Sequence, residues 1–257
     1  MCLILFAWRI DPEYPLVLAA NRDEFHQRPT QSLHKWTDEP TVVAGRDLQA
    51  GGTWLGAGPS GRVAAVTNYR EDNPQQRRRQ SQGQRSRGEL VADFLLGSDA
   101  PEDFSKSIDY SRYAGFSLLS IDADDICYVS NRGDAAMLLA PGIYGLSNAS
   151  LDTPWPKLLR TRETFGSIVA AGGANETSLM RVLADRQMSS AAAVEQGALP
   201  FALARAVTAP FIVTPEYGTR CTTVVLRNRA GQTSISERRF DAGGRTVGES
   251  RHSIAAN

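Results

Sequence analysis

Residues Cys2 to Trp8, CLILFAW, are apolar at every position. A half-exposed strand would alternate with polar residues, so a short unbroken run of this kind fits a strand covered on both faces. Pro12 and Pro15 then bracket a turn, and Pro15 to Ala20 reads as the returning arm of a hairpin. That arm ends in Asn21-Arg22-Asp23-Glu24, which brings this polar stretch within a few residues of Cys2.

The rest of the chain repeats the hairpin theme. A glycine turn at Gly51-Gly52 precedes a short strand, Thr53 to Ala57, and Pro59-Ser60-Gly61 turns the chain into a second strand, Arg62 to Asn68. Tyr113 to Asp122 pairs with Ile126 to Ser130, and Ile143 to Ser147 is a short strand ending at Asn148. Phe211 to Thr214, Cys221 to Arg227 and Thr233 to Phe240 read as closing strands. Ser86-Arg87-Gly88-Glu89 matches a capping box and starts a helix through Leu96. Trp155 to Ala170 has helical apolar spacing, and Asn175 caps a further helix. Strands in hairpins with helices grouped between them predict an α+β layered domain of antiparallel sheets. Residues 1–242 read as one domain, and the small, polar segment 243–257 as a flexible tail.

Lys+Arg and Asp+Glu each number 28, so no global charge draws the chain to nucleic acid or an anionic membrane. The one basic cluster, Gln75 to Arg87, lacks interleaved aromatics and reads as a mobile surface loop with no part in catalysis. The cysteines, Cys2, Cys127 and Cys221, are odd in number and lack metal-ligand spacing. With no apolar segment near the roughly 20 residues of a membrane span, they point to a reducing, cytoplasmic setting. His26, His34 and His252 form no ligand pattern, so no metal and no cofactor is expected.

Four elements could carry chemistry. Removal of Met1, which the small neighbouring Cys2 permits, would give one residue both a thiol and a free α-amine. An α-amine titrates near pH 8 and can act as the thiol's base. Asp23 could hold that amine. Asn68 and Asn148, each at a strand end, could donate to an oxyanion. Arg220 could lower a thiol's pKa, whereas Cys221 alternates to the other face and reads as inert. Each residue alone also has an ordinary account, as core filler, strand-end acid, turn asparagine or surface charge.

The stretches MCLIL, AANRDEFHQRPT, AGRDLQAGGTWLG, VTNYRE, GIYGLSNASLDTPWPK and YGTRCTTVV, in this order, resemble the NRDE family, also called the transport and Golgi organisation protein 2 family. That family is in turn similar to N-terminal-nucleophile hydrolases of the choloylglycine hydrolase and penicillin V acylase type. The resemblance implies an αββα sandwich and a catalytic set of Cys2, Asp23, Asn68, Asn148 and Arg220. Asn21, Arg22, Trp54 and Tyr69 would contact substrate. Ala20 stands where those hydrolases carry an arginine, and Arg22 could supply the charge from nearby. The implied activity is amide hydrolysis or acyl transfer on a small substrate. The alternative from the same resemblance is a non-enzymatic carrier of haem or lipid.

Overall fold

The computed structural model describes residues 2–70, 84–133, 135–191, 194 and 199–256. Two antiparallel sheets face each other. The first runs in the order β10 (Gly142–Leu146), β1 (Leu3–Trp8), β2 (Leu16–Phe25), β11 (Tyr217–Arg227), β12 (Thr233–Phe240) and β13 (Thr246–Ile254). The second runs β3 (Thr30–Lys35), β4 (Val43–Asp47), β5 (Leu55–Ala57), β6 (Val63–Asn68), β7 (Phe116–Ile121), β8 (Ile126–Ser130) and β9 (Met137–Leu138).

The all-apolar run has its explanation in β1, which lies between β10 and β2. Ile4, Phe6 and Trp8 point into the inter-sheet core with Leu16, Leu18, Leu55, Val63 and Leu119. Leu3, Leu5 and Ala7 point the other way, under helices α3 (Pro156–Ala170) and α4 (Glu176–Leu183). On the far side, α1 (Arg87–Leu96) packs Leu90, Val91, Phe94 and Leu95 onto Ala64, Val66, Phe116 and Leu118 of the second sheet. The layers are therefore helix, sheet, sheet, helix, an α+β sandwich with both sheets covered. Shorter helices α2 (Pro101–Ser107) and α5 (Phe201–Ala206) complete the described α-helices.

Local signals set the helix starts. Glu89 of the capping box accepts from the Ser86 N–H at 3.3 Å, and Asn175 accepts from the Ser178 N–H at 3.0 Å, as such residues do at N-termini. Gly51 and Gly52 both adopt positive φ, +70° and +68°, so this stretch is a tight turn.

Two expectations need correction. Residues 246–254 are not a loose tail: they form β13, paired with β12 from Thr233↔Ile254 onward. Its residues are only half-covered on one face, so backbone pairing rather than hydrophobicity holds it, and composition hides it. Phe211 to Thr214 is not a strand. Only Val213 makes a bridge, to Gly218, while the Ile212 N–H is taken by the Thr219 hydroxyl at 2.9 Å. The greater part of the basic run, residues 75–83, lies outside the described residues.

The two sheets are fastened to each other at one end. Arg227, buried at the end of β11, donates to the Gly61 carbonyl at 2.9 Å and to the Asp122 carbonyl, both in turns of the second sheet. Arg9 donates to the Asp124 carbonyl at 2.6 Å nearby. The opposite end holds a cleft.

Candidate active site

The register of β1 decides what surrounds Cys2. Leu3 pairs with Asn21 on one side, and Ile4 pairs with Leu146 on the other. One step further out, Cys2 therefore meets Arg22 and Asp23 of β2 and Ser147 and Asn148 beyond β10. The Ser147 hydroxyl donates to the Cys2 carbonyl at 2.9 Å and holds this level of the strand in place. The second sheet closes the other wall through Asn68 at the end of β6. Asn148 Nδ2 donates to the Asn68 carbonyl at 2.8 Å, and the Arg70 N–H donates to the Asn148 carbonyl at 2.7 Å. Asn148 is buried and held in the left-handed region at φ 54°, a conformation asparagine tolerates better than most residues.

The result is a cleft of about 640 Å³ whose lining includes Cys2, Arg22, Asp23, Trp54, Asn68, Tyr69, Arg70 and Asn148. Seven of the nine residues singled out in the sequence thus share one cavity: Cys2, Asp23, Asn68, Asn148, Arg22, Trp54 and Tyr69. Gln84 to Arg87, the described end of the basic run, also form part of its wall.

Two of the nine lie elsewhere. The Asn21 side chain is buried under the helices. Its amide donates to the Leu183 and Pro210 carbonyls, both at 2.9 Å, and its oxygen accepts from Thr222 at 2.6 Å. Arg220 is the residue extruded by a bulge, since the β11–β2 register shifts between Thr219 and Cys221. Its guanidinium turns to the Phe25 and Arg28 carbonyls, at 2.9 and 3.2 Å, and braces the β2–β3 turn. The arginine beside Cys2 is instead Arg22, stacked on Trp54 at 4.4 Å and held by Thr30 at 3.2 Å and Asp47 at 3.8 Å.

Burial dominates the electrostatics. It pushes the Cys2 thiol above its usual range, although the Asp23 backbone N–H and the Arg22 charge pull the other way. A thiol lowered by a neighbouring arginine, as expected from sequence, is thus not what the cleft provides. Burial likewise lifts the Asp23 carboxyl to about 6, against the pull of Lys157, a 2.6 Å hydrogen bond from Thr219, and Arg22. Cys221 lies buried beside Glu237, and desolvation raises its thiol well above the ordinary range.

Lys157 is the residue that sequence reasoning missed. It is 4% exposed in the first turn of α3, desolvation lowers its pKa, and Asp23 and Cys2 act on it electrostatically. One signal was present: a lysine two places after a helix-starting tryptophan sits at the end of the helix dipole that disfavours cations.

The sequence profile of the family described as Transport and Golgi organisation 2 matches residues 1–242. A Transport and Golgi organization protein 2 homolog of Bos taurus is 36% identical over 263 residues, covering 93% of this chain and 92% of that protein. The Drosophila melanogaster protein is 31% identical over 195 residues, 67% of this chain and 66% of that protein. Among solved structures, a Caenorhabditis elegans N-acylethanolamine-hydrolyzing acid amidase ortholog superposes with a TM-score of 0.51 at 11% identity. It covers 88% of this chain and 92% of that one. The C2A mutant of a conjugated bile acid hydrolase from Clostridium perfringens gives 0.52 at 9% identity, over 99% and 92% of the two chains. At these identities the likeness is one of fold.

Proposed function

The chain belongs to the Transport and Golgi organisation 2 family and has the fold of N-terminal-nucleophile hydrolases, and from that premise we propose that it is an N-terminal cysteine amidohydrolase. The observation that supports this reading is the meeting of Cys2, Asp23, Asn68 and Asn148 in one cleft at the ends of strands from both sheets. One similar hydrolase is named an amidase, and the other, a conjugated bile acid hydrolase, carries a substitution at a cysteine in position 2.

In this mechanism Met1 is first removed. The freed α-amine of Cys2 takes the thiol proton, and sulfur adds to the amide carbonyl carbon. The C–N bond breaks as the amine returns the proton to the leaving nitrogen. A thioester remains on Cys2, and water cleaves it to a carboxylic acid and the original thiol. The side-chain amides of Asn68 and Asn148 donate to the oxyanion, and Asp23 holds the α-amine. Because burial raises the thiol's pKa, activation depends on that amine, which becomes available only with the methionine gone.

The test is intact mass after exposure to an activated ester. An adduct on residue 2 is expected in the wild type, none in Cys2→Ala, and a slow remnant in Cys2→Ser, since a hydroxyl is the weaker nucleophile. Mature protein from its own cell that retains Met1 would overturn the mechanism. A Soret band on haem titration, with no adduct under any condition, would favour the carrier alternative.

A further inference from the structure

A second cavity, of about 360 Å³, lies behind the cleft and shares Asn148 and Arg70 with it. Its surface is more apolar than polar, with Pro154, Trp155, Pro156, Ala204 and Val207 set among Ser147, Thr153, Ser189 and Thr208. Two cations belong to this lining, the half-buried Arg70 and, fully buried, Lys157. An ammonium has three donors. Among the described residues, Lys157 Nζ donates one hydrogen bond, to the Val207 carbonyl at 3.1 Å. A buried charge so lightly satisfied is costly. Its position adds to the cost, because it lies in the first turn of the 15-residue helix α3, where the macrodipole opposes a cation and favours an anion. Asp23 offsets part of this from the cleft side.

From this geometry we infer that the second cavity is a binding site for a small apolar monocarboxylate, its carboxylate held by Lys157 at the N-terminus of α3 and its apolar body packed against Trp155 and the prolines. The cavity is at the low end of the roughly 300–1,000 Å³ of small-molecule sites, which suits a ligand of this size. A neutral ligand would leave the ammonium's donors unsatisfied. The inference goes beyond the amidohydrolase reading. Binding in this cavity does not require a nucleophile, whether the acid arises as a product or arrives from elsewhere.

The probe is octanoate, titrated calorimetrically against full-length wild-type protein and against Cys2→Ala. Both should bind it, and octanamide should bind at least ten-fold more weakly. Lys157→Met, similar in length but uncharged, should lose at least ten-fold in octanoate affinity while its octanamide affinity holds or rises. If that variant does not fold, Ala204→Leu, which fills part of the cavity and keeps the lysine, should abolish octanoate binding. Equal affinity for acid and amide, unchanged binding in both variants, or no octanoate binding at all would overturn the inference. Loss of the ester adduct with octanoate binding intact would instead sink the hydrolase reading alone. If octanoate slows labelling of Cys2 by iodoacetamide in the wild type, the acid acts as a product of the cleft; if it binds without slowing labelling, it is an independent ligand.

Discussion

Asp23 shows how far one buried side chain can set the character of the site. Its carboxyl, ordinarily at 3.8, is held at about 6 by burial. The folded state then binds the proton more tightly than the unfolded chain does. Stability falls as pH rises from about 4 to 6, and the full penalty, about 3 kcal/mol, applies above that. Asp23→Asn should match the wild type near about pH 3.5 and exceed it by up to about 3 kcal/mol near neutral pH, while losing any acyl transfer. Urea unfolding across this range measures it, and a difference that does not grow with pH would count against a strained carboxylate. Cys2, Asp23, Asn68 and Asn148 were legible because each stands at the end of a strand that its own neighbours predict. Arg220 was misplaced because a single-residue bulge turns it away, and no local pattern in Gly218 to Thr222 announces that bulge. Lys157 was missed because its surroundings come from residues 2, 23 and 207, which only the docking of α3 onto the first sheet brings together.

At the scale of elements, the turn at Gly51-Gly52 carries Thr53 and Trp54 into the cleft wall. A Cβ at Gly52 would stand 2.5 Å from the Gly88 backbone at the start of α1, whereas one at Gly51 meets nothing within 4 Å. Both positions have positive φ. Gly51→Ala should therefore cost about 1 kcal/mol, and Gly52→Ala about 2–3 kcal/mol, the excess being the clash. Thermal unfolding of the pair separates the two causes, and equal losses would mean that the helix yields. The buried hairpins were readable from apolar runs and turn residues. β3 and β13 were not, since Thr30–Lys35 buries only Leu33 and β13 none of its residues. Yet β13 covers the edge of β12, pairs Arg238 with Glu249 at 2.7 Å and ties to α4 through Arg251 and Glu176. Ending the chain at residue 242 should bare the β12 edge and promote aggregation on heating, visible by light scattering. An unchanged transition would show that the strand is dispensable.

For the molecule as a whole, the Asn148–Asn68 and Arg22–Asp47 contacts join the two sheets beside the cleft, and a further fastening joins them where β11 finishes. Arg227 makes the fastening, with its guanidinium also 5.3 Å from the centre of the Trp8 ring. Arg227→Met would strip the Gly61 and Asp122 carbonyls of their donor, and should cost about 2–3 kcal/mol in chemical unfolding. A loss below about 0.5 kcal/mol would mean water serves those carbonyls equally well. The sandwich is therefore clamped at both ends of its core. Backbone amides from Leu16 to Leu18 and from Val225 to Arg227 should exchange with deuterium only through global unfolding, while those near Glu24, Phe25 and Tyr217 exchange through local opening. That contrast in burial along β2 and β11 would leave the cleft end the first part of the sandwich to yield to an entering ligand.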